Sequence, residues 1–136
     1  MQEHNAWLNK ALGDLKSAKK LSKEDDETLD TAAYHTQQCA EKALKAFLIF
    51  NHHAPKKTHD LEKLLELCTK YDSSLLQLAD DVIMLIPYAT YTRYPDDYFT
   101  VNRTDVETAI VMADKILKVI RTKINEKLDP NLRIFP

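Results

Sequence analysis

The feature that most narrows the fold is a scarcity. Gly13 is the only glycine in a chain of 136 residues. Tight β-hairpin turns need backbone at positive φ, and loops that cradle phosphates need a close backbone approach, and glycine supplies both. An α-helical chain needs neither, so the expectation is an all-α protein. Its length suits one domain with a core that needs no staples. Hydrophobic residues make up 44% and charged residues 29%, as in a soluble globular domain, and the formal net charge is -2. No global basic field therefore draws the chain to nucleic acid, and RNA or DNA binding would need a local patch.

Apolar spacing predicts the helices. Trp7, Leu8, Ala11, Leu12, Leu15, Ala18 and Leu21 recur at three and four, giving a first helix over 5–22. Gly13 weakens it, and Lys16, Lys19 and Lys20 form its solvated side. Asp25, Asp26 and Glu27 suit the positive end of a long second helix over about 27–51, which the run Asn51-His52-His53-Ala54-Pro55 ends. Thr58 is the expected N-cap of a third helix buried through Leu61, Leu64, Leu65 and Cys68. Asp72 or Ser73 caps a fourth, with Leu75, Leu78, Ala79, Val82, Ile83 and Ile86 toward the core and Pro87 as its stop. Thr104-Asp105-Val106-Glu107 reads as a capping box opening a last helix. Val106, Ala109, Ile110, Ala113, Ile116, Leu117, Ile120 and Ile124 form its stripe. Short links favour antiparallel neighbours, hence a four-helix up-and-down bundle with an additional short helix or ordered loop. The domain spans 1–128, and 129–136 form a C-terminal tail.

The second helix carries an unusual surface. Ala33, Ala40, Ala43, Leu44, Phe47 and Phe50 share one side. Tyr34, Gln38, Glu41 and Lys45 share the other, flanked by His35 and Lys42. Solvent-facing helix surfaces are usually Lys and Glu, whereas His, Tyr and Gln are costly to bury unpartnered. Two readings follow: a buried polar network that sets helix register, or half of a ligand site.

Before the last helix, Tyr88 to Phe99 holds four of the six tyrosines, with Arg93 and Pro95 among them. Such a loop packs on something, a helix groove or a partner. Arg93 is the first Arg in a chain that uses Lys freely before it, which suggests bidentate recognition of a carboxylate or phosphate, with Glu41 an internal candidate. Cys39 and Cys68 sit in apolar helical patterns and are expected to act as small hydrophobes in a reducing compartment. His52 and His53 are adjacent and point about 100° apart on a helix, a poor metal pair. No CxxC, HExxH or membrane-spanning apolar run occurs, and the expected location is the cytoplasm, with neither cofactor nor metal.

The run Ala33-Tyr34-His35-Thr36-Gln37-Gln38-Cys39-Ala40-Glu41-Lys42-Ala43-Leu44-Lys45-Ala46 resembles the second-helix signature of HEPN domains. Lys57-Thr58-His59-Asp60-Leu61 is similar to that family's second motif, and Thr92-Arg93-Tyr94-Pro95-Asp96 to its third, so the likeness covers nearly the whole chain. It implies a helical bundle that forms a homodimer and works beside a separately encoded minimal nucleotidyltransferase, in a toxin–antitoxin-like pair. Some branches are ribonucleases marked by an Arg followed four to six residues later by a His. Here every Arg lies after every His, so that motif and its general acid/base are absent.

The resemblance places ligand-binding residues at Tyr34, His35, Gln38, Glu41, Lys42, Lys45, Thr58, His59, Arg93 and Tyr94. Lys42, Lys45 and Arg93 would meet phosphates, His59 would add a donor, and Gln38 and Tyr34 would read or stack a base or sugar of a nucleotide or RNA end. The alternatives are a metal-independent ribonuclease using His35 or His59, and a homodimeric scaffold in which Glu41, Lys45 and Arg93 pair internally.

Overall fold

The computed structural model describes residues 3–54, 57–89 and 101–129. Five α-helices follow in order: α1 (Glu3–Glu24), α2 (Leu29–Phe50), α3 (Leu61–Thr69), α4 (Ala79–Leu85) and α5 (Arg103–Leu128). Short 3₁₀ turns at Asp26–Thr28, Ser73–Leu78 and Ile86–Ala89 extend or join them, and no strand occurs among the described residues. The architecture is the expected all-α bundle. α2 lies at its centre and packs against α1, α3, α4 and α5. Residues 32–33, 36–41 and 43–48 of α2 are all buried, so both of its sides are inside. A helix apolar on one side and polar on the other is thus used as a core helix, and its polar side must be satisfied internally.

Helix ends show where local chemistry competes. Asp25 opens the link to α2, accepting from the amides of Glu27 and Thr28. At its far end, α2 stops in a Schellman turn: the His53 amide donates to the Leu48 carbonyl and the His52 amide to that of Ile49. His52 holds φ 60 there, where glycine is usual. The stop therefore precedes Pro55. Asp60, not Thr58, caps α3 by accepting from the Lys63 amide, while the Thr58 hydroxyl accepts from the Asp60 amide. Asn102 and Asp105 form the capping box of α5, two residues before the expected Thr104. Arg103 pins that start by donating to the Ser22 carbonyl and to Asp26.

The fourth helix departs most from expectation. Leu75, Leu78, Val82 and Leu85 are buried, whereas Ile83 is 52% and Ile86 37% exposed. The cause is the 3₁₀ turn. At three residues per turn it advances about 120° per residue rather than 100°, so Leu75 and Leu78 eclipse and everything downstream rotates by roughly 60°. Leu85 then replaces Ile86 on the core side. Cys39 and Cys68 are buried free thiols whose Sγ atoms lie against the carbonyls of Ala113 and Leu44. Burial pushes both up to about 12, helped at Cys39 by the nearby carboxylates of Asp14 and Asp114. No helix among the described residues is long and apolar enough to cross a membrane.

Candidate functional site

Two buried carboxylates organise the polar side of α2, and each holds one histidine and one lysine. Glu41 takes the His59 Nδ1 on Oε1 at 2.9 Å and the Lys45 Nζ on Oε2 at 3.1 Å. Asp14, from α1, takes the His35 Nδ1 on Oδ1 at 2.8 Å and the Lys42 Nζ on Oδ2 at 2.5 Å. A carboxylate only accepts, so both imidazoles carry a proton on Nδ1. Their Nε2 edges are left for another partner. The His35 side chain is 27% exposed and that of His59 is 70% exposed.

The supporting contacts explain why this charge is tolerated inside. Lys45 is 6% exposed, and its ammonium also lies 5.6 Å from the centre of the Trp7 ring. Gln37, fully buried, donates at 3.4 Å to the His59 carbonyl and at 3.5 Å toward Glu41. Gln38 in turn donates to the Gln37 Oε1 at 2.7 Å. The linker ahead of α3 is thereby tied to α2 through both the backbone and the ring of His59. Tyr34 is half-buried with its ring edge-on to His35, 5.9 Å between centres.

Of the residues singled out in the sequence, Glu41, Lys45 and His59 meet in one cluster, with Gln38 joined to it through Gln37. His35 and Lys42 meet in the other, and Tyr34 stands beside it. Thr58 is one residue from His59 but commits its hydroxyl to the α3 cap. Lys42 and Lys45 reach carboxylates of this chain, and the group most turned outward is the His59 imidazole. Arg93 and Tyr94, the suggested Glu41–Arg93 pair and most of the tyrosine-rich loop lie outside the described residues. Sequence reasoning missed Asp14 and Gln37. Asp14 had a signal, being a carboxylate at a stripe position between Ala11, Leu15 and Ala18, where only a partner makes it tolerable. Gln37 had none beyond its neighbours. Among the described residues no group of three His, Cys, Asp or Glu side chains is placed to hold a metal ion.

The fold and the buried polar side of α2 define a small all-α bundle domain. The chain belongs to the HEPN domain family, whose model matches residues 4–124. It is 28% identical over 135 residues to a Methanocaldococcus jannaschii protein named "Putative toxin MJ1304", covering 89% of this chain and 88% of that one. Two crystal structures share its fold at 26% identity. One is ST0689, an archaeal HEPN homologue, with TM-score 0.71, covering 91% of this chain and 99% of that one. The other is TT1696 from Thermus thermophilus, with TM-score 0.75, covering 90% and 99%.

Proposed function

We propose that this HEPN domain is a nucleotide-binding module that presents a nucleotide or RNA end to a separately encoded minimal nucleotidyltransferase, the two forming a toxin–antitoxin-like pair in the cytoplasm. The observation that carries the reading is the Glu41–His59 unit. A buried carboxylate fixes Nδ1 of an exposed ring and turns the Nε2 edge outward, and in the imidazolium form that Nε2–H donates to a phosphate oxygen. His35 on Asp14 repeats the device. Tyr34 supplies an aromatic surface beside it for a base or sugar. Lys42 and Lys45 fix the carboxylates, with Arg93 and Tyr94 completing the set from the third motif. A homodimer is part of this reading, as is the toxin-like character of the archaeal relative.

A thermal-shift titration with ATP, AMP and a short RNA tests it. A ligand at a hundred times its dissociation constant adds about 2.7 kcal/mol of stability. The shift is expected in the parent protein and lost in His59→Ala, which removes an exposed ring and leaves Lys45 on Glu41. No shift with any of the three ligands would overturn it.

The same unit supports a second reading. An imidazole oriented by a carboxylate is the geometry of a general base, so a metal-independent ribonuclease is the alternative. Cleavage of RNA in the presence of EDTA, abolished by His59→Ala, would favour it over binding alone.

A further inference from the structure

α4 and the 3₁₀ turn before it carry large apolar residues on the outward side as well as the core side. Leu75, Leu78, Val82 and Leu85 face the core, while Leu76 (65% exposed), Ile83 and Met84 (each 52%) and Ile86 stand outward. Contiguous large apolar side chains on the outward side of a helix mark a surface that another protein covers. Of these, Leu76 and Ile83 border a groove of about 250 Å3 between α3 and α4, lined also by Glu62, Leu65, Glu66 and Val82, with Thr69 and Ala79. Its charged lining residues are both acidic, and neither carboxylate is held by a basic side chain among the described residues. Asp80, exposed on α4 one residue after the lining Ala79, adds a further negative group to that helix.

We infer that this groove is the docking site for another protein, through a helical segment that carries large apolar side chains flanked by Lys or Arg. The apolar floor takes the side chains, and Glu62, Glu66 and Asp80 take the flanking cations. A second copy of this chain fits less well. A two-fold axis through the groove would set Glu62 and Glu66 against their own images. That repulsion points to a different, basic partner. The inference does not depend on nucleotide binding, because it uses none of the residues around Glu41 or Asp14.

Fluorescence anisotropy with two labelled synthetic helices tests it, one an amphipathic Leu–Lys peptide and the other its Leu–Glu counterpart of the same pattern. The parent protein is expected to bind the Leu–Lys peptide about tenfold or more tightly than the Leu–Glu peptide at low salt. Leu76→Ser with Ile83→Ser, a change of exposed groove residues that leaves charge untouched, is expected to weaken it by about tenfold. Glu62→Lys with Glu66→Lys is expected to reverse the preference. Equal binding of both peptides, or binding indifferent to the Leu76 and Ile83 changes, would overturn the inference. So would light scattering that shows a dimer of the parent converted to monomer by Ile83→Ser, since a second copy would then fill the groove.

Discussion

Glu41 and His59 come from different elements and meet at 2.9 Å, the carboxylate side chain 4% exposed and the imidazole 70% exposed. One partner is structural by its burial and the other is available by its exposure, so the pair converts a core interaction into a fixed surface group. Lys45 completes the balance of charge from one turn further along α2.

Removing Glu41 is expected to be costly because Lys45 stays behind. Glu41→Gln should destabilise by about 3 kcal/mol, the scale for stranding one member of a buried ion pair. Glu41→Gln with Lys45→Met should recover most of that loss. Urea denaturation of the three proteins measures it, and a double variant as unstable as the single one would show that the stranded ammonium is not the cause. His59→Ala should cost about 1 kcal/mol, the scale of one hydrogen bond to a buried carboxylate that keeps Lys45 as its partner.

Two positions carry backbone cost that substitution can relieve. Gly13 lies inside α1, and a Cβ built there meets nothing within 4 Å. Gly13→Ala should therefore stabilise by about 1 kcal/mol, the helix-propensity difference. His52 occupies the left-handed region at φ 60. His52→Gly should gain about 1 kcal/mol by removing the Cβ clash. The sites lie on different elements, so the gains should add, and calorimetry should show each raising Tm by about 4 °C.

The cysteines should be silent until the protein opens. With both thiols pushed up to about 12 by burial, almost no thiolate exists at neutral pH. Neither should react with a disulfide reagent in the native state, and both should react on addition of denaturant. Rapid modification of the folded protein would contradict their placement between α2 and its neighbours.

His4 should make stability depend on mildly acid pH. It is 5% exposed, lies edge-on to Phe50 at 5.1 Å, and its Nε2 has no hydrogen-bond partner. Burial holds its imidazole below the ordinary histidine value. The unfolded chain then binds the proton first, so this contribution is complete above about pH 6.5 and falls as pH drops below it toward the lowered native value. His4→Leu should flatten the stability profile between about pH 7 and pH 5, read from urea midpoints across that range. A profile unchanged by the substitution would place the acid sensitivity elsewhere.

Much of this fold is legible in local pattern, and the misses share a cause. The stripe of α5 from Val106 to Ile124 is visible at helical spacing, because a long α-helix keeps one period and one face. The fourth helix misleads because its period changes at Ser73–Leu78 and no residue type there announces a 3₁₀ turn. Thr58 and Thr104 are good caps by type, yet Asp60 and Asn102 hold the positions, since several neighbouring residues can cap and only the path of the chain selects one.

The sequence by itself determined that this is an all-α chain, because one glycine leaves few other solutions, and that α2 bears an abnormal polar side. Tertiary structure decided what that side does. Asp14 is on another helix and His59 lies 18 residues beyond Glu41, so neither pairing is written in any local spacing. The physical reason is burial. Once α2 is enclosed by α1, α3, α4 and α5, each charge on it must be answered by whatever group the bundle brings near. Those answers leave the His59 imidazole facing outward.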